Sequence, residues 1–168
     1  LLPKVKSAGI IWDGIENGGV DFNYLVKRFS ATGIAIVPCP VTAASGAAKC
    51  IDRFRRAGVG AIYVAIHSAY DTDPSIYDAF EVKLRIPMVF AWPTYVKRHG
   101  LTGYNDSNTS SDAAVRRMVN ILAKAPFSTS PQRQYPTKFQ NVINLRTARD
   151  LGIPLSRRQL AIADVYVR

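Results

Sequence analysis

AIYVAIHSAYDTDPSIYDAFEVKLRIPMVFAW, residues 61–92, reads as one complete strand–helix–strand unit. Residues 61–66 are apolar on both alternating sets, the pattern of a strand buried on both faces. Asp73 followed by Pro74 is a favoured helix start. The carboxylate can accept orphan backbone N–H groups, and proline at the first helical position lacks an N–H that would go unused. Ile76, Phe80 and Leu84 then recur at helical spacing. Pro87 leads into a second apolar run over 88–92. Two such strands joined through a helix by short loops predict a parallel pair with a crossover.

The same grammar extends in both directions. Residues 5–12 read as a strand. Asp13-Gly14 and Gly18-Gly19 then read as a flexible turn, with a helix from about Asp21 carrying Phe22, Leu25, Val26 and Phe29 and stopping at Gly33. Residues 35–41 form the second strand, which Pro38 and Pro40 push toward a sheet edge or an early end because proline cannot donate to the ladder. A helix opening near Ser45-Gly46 carries Ala48, Ile51, Phe54 and Ala57 to a stop at Gly58. Downstream, a helical turn over 94–100 ends at Gly100, a brief strand occupies 101–104, and a helix runs over 110–124. Residues 125–135 are linker-like. In the last part, Phe139, Val142, Ile143 and Leu145 are closely spaced apolar anchors. Asn144 can cap a short helix reaching Leu151, with Gly152 as its left-handed stop, and Ser156 can cap a second one after Pro154. The fold expected is α/β, a doubly wound parallel sheet of Rossmann-like or flavodoxin-like type.

Composition fits this. Of the 168 residues 48% are hydrophobic and 20% charged, which is globular rather than disordered. No stretch approaches the roughly 20 apolar residues needed to span a bilayer. The start, LLPKVKSAGIIW, lacks the pattern of a signal peptide. The formal charge of +10 raises anionic partners as an option. The basic residues fall in scattered pairs without interleaved aromatics, however, so they read as solvated helix faces and no nucleic-acid partner is expected. Cys39 lies in an apolar run and Cys50 on a helix. They read as two buried free thiols, with a bridge open only to an oxidising compartment.

Open parallel sheets gather ligands at the carboxyl ends of their strands. That places Trp12, Asp13 and Asn17 after the first strand, His67 and Ser68 after the third, Trp92 after the fourth, and Tyr104 and Asp106 at the fifth. Flat aromatics beside small hydrogen-bonding groups suit a small polar or aromatic solute. Catalytic patterns are absent. Adjacent His67 and Ser68 point to opposite faces of a strand, and residues 13–19 fit no phosphate loop. His67 and His99 have no metal-ligand spacing. No cofactor, metal or catalytic residue is therefore expected. A flavodoxin-like or Rossmann-like enzyme and a ligand-sensing regulatory module are the alternatives.

The segments Pro136-Thr137-Lys138-Phe139, Asn144-Leu145-Arg146-Thr147-Ala148, Leu151-Gly152 and Leu160-Ala161-Ile162-Ala163-Asp164 are similar in order and spacing to the C-terminal signature of the ABC-transporter substrate-binding proteins of the uncharacterised transport system type. Arg85-Ile86-Pro87 with Val89-Phe90-Ala91-Trp92, and Gly103-Tyr104, resemble further parts of that family. Asp13 stands where the family has Asn. Asp106 matches its ligand-side Asp with a shift of one residue, and His67-Ser68 replace a usual Asp. The resemblance implies two α/β lobes closing on a solute, a membrane permease as partner, and a periplasmic or extracytoplasmic location. Residues 1–134 would be the second, ligand-binding lobe, and 135–168 a crossover returning to a first lobe. Without that lobe, Phe139, Val142, Ile143 and Leu145 would offer a surface for self-association.

Overall fold

The computed structural model describes residues 5–12, 16–42, 46–65, 77, 80, 83–98, 100–106, 115, 116, 119 and 138–168. Its centre is a seven-stranded sheet. In chain order the elements are β1 (Ser7–Trp12), α1 (Glu16–Ser30), β2 (Ala35–Pro40), α2 (Ala47–Arg56), β3 (Ala61–Val64), β4 (Met88–Phe90), α3 (Pro93–Val96), β5 (Thr102–Asp106), β6 (Phe139–Asn144), α4 (Leu145–Asp150), α5 (Arg157–Ala161) and β7 (Val165–Val167). The spatial order is β2-β1-β3-β4-β5-β6-β7. The first five strands in that order are parallel, β6 is antiparallel to β5, and β7 is parallel to β6. The α/β, doubly wound, mainly parallel sheet expected from sequence is thus present.

Each early element follows from its residues. β2 lies at the edge and ends at Pro40, where missing N–H donors cost the ladder least. Gly33, Gly58, Gly100 and Gly152 all have positive φ, so the four helix or turn stops are places where a Cβ would be strained. Tyr77 and Phe80 are helical and buried, as the 61–92 pattern requires; Asp73 and Pro74 lie outside the described residues. Among the described residues, Ile11, Phe54, Ile62, Val64, Met88, Phe90 and Val96 of the strands, α2 and α3 join Tyr77 and Phe80 in one core cluster. The Tyr77 ring meets Phe90 edge-on at 4.8 Å.

Four expectations are corrected. α1 begins at Glu16 rather than near Asp21, so Gly18 and Gly19 belong to a helix and not to a flexible turn. Cys39 and Cys50 are not free thiols but a disulfide, with Cα atoms 5.7 Å apart. The bond ties the end of β2 to the first turn of α2. Residues 139–144 form a strand, and 165–167 another, so the C-terminal part extends the same sheet by two strands. As a result Val142 and Ile143 are buried, Leu145 is half-buried, and only Phe139 of the four apolar anchors is exposed. The four do not make a common surface. The linker-like stretch, residues 125–135, lies outside the described residues.

The capping residues behave as their chemistry dictates. The Asn144 side chain accepts a bond from the Thr147 N–H at 3.0 Å and starts α4. Ser156 accepts from the Gln159 N–H at 3.2 Å, while the Gln159 side chain accepts from the Ser156 N–H at 2.8 Å. That reciprocal pair is a capping box.

Candidate ligand-binding edge

The carboxyl ends of β1, β3, β4 and β5 lie along one edge of the sheet, and β6 begins there because it runs the other way. Phe139 opposes Asp106 in the β5–β6 register. From β1 to β5 the edge spans three strand spacings, roughly 14 Å. Side chains at its two ends must lean inward to touch one small solute.

Trp12 closes β1 half-buried, its indole stacked on Phe22 of α1 with centroids 4.1 Å apart and planes 14° apart. This stack holds the tryptophan at the strand end and joins α1 to the edge. Trp92 is the N-cap of α3 in an extended conformation, with Pro93 at the first helical position. α3 can sit where it does because position 103 is glycine. A Cβ there would lie 2.8 Å from the Val96 side chain and 3.0 Å from the Pro93 Cα. That close approach brings Trp92 and β5 together at the edge. Asn144 fixes the arrangement from below, donating from Nδ2 to the Val96 carbonyl at 2.9 Å.

Tyr104 projects from β5 on the face away from α3, since Gly103 is the residue that meets the helix. It is 61% exposed and stacks on Phe139, 49% exposed, with centroids 5.6 Å apart and planes 10° apart. Neighbouring polar groups are already engaged. The Thr102 hydroxyl donates to Asn141 Oδ1 at 3.1 Å and sits 2.9 Å from the Val142 carbonyl. Asn141 Nδ2 donates to the Ile162 carbonyl at 3.0 Å, and the Asn141 N–H donates to the Asp164 carboxylate at 2.7 Å. These contacts tie β5 and β6 to the segment between α5 and β7 beneath the exposed rings.

The structure therefore brings Trp12, Trp92 and Tyr104 to one edge. Asp106 ends β5 at that edge and Asn17 lies in the first turn of α1; the side chains of both are outside the described residues. Asp13, His67 and Ser68 also fall outside them. Sequence reasoning missed Phe22 and Phe139. Helical spacing marks Phe22 only as a core position of its helix, and the sequence marks Phe139 only as an apolar anchor. The signal that could have found Phe139 was the antiparallel return of β6, which puts its first residue at the carboxyl edge of the parallel strands. Among the described residues, no group of three His, Cys, Asp or Glu could hold a metal ion, and no helix is long and apolar enough to cross a membrane.

The fold is similar to that of several solved structures. An ABC domain from Streptococcus pneumoniae in complex with L-Trp superposes with a TM-score of 0.82 at 21% identity, over 99% of this chain and 57% of that one. The chain shares that α/β fold over nearly its whole length. A conserved domain protein from Vibrio cholerae matches with a TM-score of 0.78 at 22% identity, over 98% of this chain and 56% of that one. A substrate-binding protein with adhesive properties from Clostridium difficile, in its ligand-free, open form, matches with a TM-score of 0.72 at 18% identity, over 99% and 55%. The chain thus spans just over half the length of each. No protein-family model and no curated protein matches the chain.

Proposed function

We propose that the chain is the ligand-binding lobe of the solute-binding component of an ABC importer, and that it binds a small solute without catalysis. Residues 135–168, which add β6 and β7 to this sheet, would also carry its return toward a first lobe. The observation that carries this reading is the aromatic edge itself. Trp12, Trp92 and the Tyr104–Phe139 pair stand at the carboxyl ends of parallel strands, where this architecture leaves room for a ligand. Planar rings bind an aromatic or branched amino acid by stacking and apolar contact. Asp13, Asn17, His67, Ser68 and Asp106 supply the hydrogen-bonding groups that orient its polar end. The L-Trp bound to the Streptococcus pneumoniae relative is in keeping with that chemistry. The transporter permease is the partner of the whole binder, and the location is periplasmic or otherwise extracytoplasmic.

One lobe supplies one wall of the cleft, so affinity in the 168-residue chain is weaker than in a binder that closes on its solute. Saturation-transfer NMR with L-tryptophan and L-leucine at millimolar concentration tests the reading. Binding of either solute that is lost in Trp92→Ala with Asp106→Asn supports it. Binding unchanged by the double substitution, or no binding of either amino acid, would sink it.

A further inference from the structure

α2 starts badly for a helix. Its N-cap is Gly46, in a helical conformation and with no side chain to accept a backbone N–H. No acidic residue lies in its first turn, while Lys49 puts a positive charge there, against the positive end of the helix dipole. The outer face adds Arg53, Arg55 and Arg56 with only Asp52 in opposition along the helix, and the Arg55–Asp52 ion pair at 3.3 Å is exposed. At the end of that first turn stands Cys50, fully buried and bonded to Cys39 in β2, itself 5% exposed. Cys39 pairs with Ile11 in the ladder, one residue before the Trp12 that closes β1 at the ligand edge.

We propose that the Cys39–Cys50 disulfide is the N-terminal anchor of α2, standing where a helix cap is missing, and that the chain reaches this structure in a thiol-oxidising compartment. In forming the bond each Sγ–H loses its proton and the pair gives up two electrons. A protein or small-molecule disulfide accepts the two electrons and two protons, becoming two thiols. Once formed, the bond is buried, with Cys39 5% and Cys50 0% exposed in the core cluster that also holds Val41, Ile51 and Phe54, so reductant reaches it only when that part of the core opens. The inference stands independently of which solute the lobe binds.

The consequence is a thiol-dependent share of stability concentrated in one helix. For a bridge closing an 11-residue separation, loss of the cross-link in a domain of this length lowers Tm by about 6 to 12 °C. Three measurements on the full 168-residue chain decide it. Protein refolded with a glutathione redox buffer and denatured without reductant should take up no alkylating reagent at either cysteine. Dithiothreitol should lower Tm by the stated amount in wild type and leave the Cys39→Ala/Cys50→Ala double variant unmoved. Amide hydrogen exchange on reduction should speed most over residues 50–54, ahead of β3 and β4. Two alkylated cysteines, a wild-type Tm insensitive to dithiothreitol, or faster exchange spread evenly over the sheet would each overturn the proposal. Because the reductant acts on wild type, a double variant that failed to fold would not remove the test.

Discussion

Replacing Asn144 with alanine should cost far more than a typical surface change, because this one amide performs two buried tasks. It is 3% exposed. Its oxygen caps α4 through the Thr147 N–H, and Thr147 is itself buried. Loss of such a cap costs about 1 kcal/mol. Its nitrogen satisfies the Val96 carbonyl at the end of α3, and an orphaned buried carbonyl costs about 1 to 3 kcal/mol more. The sum, about 2 to 4 kcal/mol, moves a urea midpoint down by roughly 1 to 2 M and Tm by roughly 5 to 15 °C. Asn144→Ser separates the two tasks. Serine can still cap α4 but is too short to reach Val96, so its loss should fall between wild type and alanine. Asn144→Asp keeps the acceptor yet turns a second oxygen toward the Val96 carbonyl, and should be at least as damaging as serine. Equilibrium urea unfolding followed by circular dichroism gives all three values. An Asn144→Ala protein within 0.5 kcal/mol of wild type would refute the claim that this residue ties the C-terminal strands to α3.

Other perturbations test neighbouring parts of the account. Gly103→Ala should destabilise by about 1 to 3 kcal/mol, because its Cβ meets the Pro93 Cα, part of the backbone, as well as a movable Val96 methyl. A midpoint unchanged from wild type would mean that α3 is not seated on β5 as described. Arg85 is the described non-glycine residue with positive φ, at +50°, and its guanidinium donates to the Asp150 carbonyl at 3.0 Å. Arg85→Gly trades that hydrogen bond for relief of backbone strain and should be near neutral, whereas Arg85→Ala keeps the strain and loses the bond. Thermal unfolding should rank glycine above alanine; the reverse order would contradict the strain. Phe139→Ser removes a half-exposed ring, so it should leave stability within about 0.5 kcal/mol while weakening binding of L-tryptophan more than of L-leucine in the saturation-transfer assay.

Most of the parallel sheet was legible because its signals are local. Pro38 and Pro40 announced an edge strand, the glycines with positive φ marked where helices stop, and Asn144 and Ser156 announced caps that the structure shows making their bonds. What escaped was non-local or ambiguous. FQNVIN does not alternate: Val142 and Ile143 are both buried because β6 is covered on both faces, and the cap at Asn144 drew attention to the helix after it. VYV is too short for any period to show. The Gly18-Gly19 pair argued against helix in the first turns of α1, yet the chain continues helically through both. The disulfide depends on how β2 turns into α2, which the count of residues between two cysteines does not fix. At the edge, Trp12, Trp92 and Tyr104 followed from strand ends alone, whereas Phe22 and Phe139 became visible only through the rings they stack on.

The central claim is that the carboxyl edge of this sheet receives a small solute. The most direct measurement is a two-dimensional ¹H–¹⁵N NMR titration of the 168-residue chain with L-tryptophan. The account predicts that the indole N–H signals of Trp12 and Trp92 and the amides of Tyr104, Asp106 and Phe139 shift together along one binding curve. The amides at the opposite ends of the strands, Ser7, Ala61 and Met88, should stay in place. Shifts confined to that opposite edge, or none at all up to tens of millimolar, would contradict it.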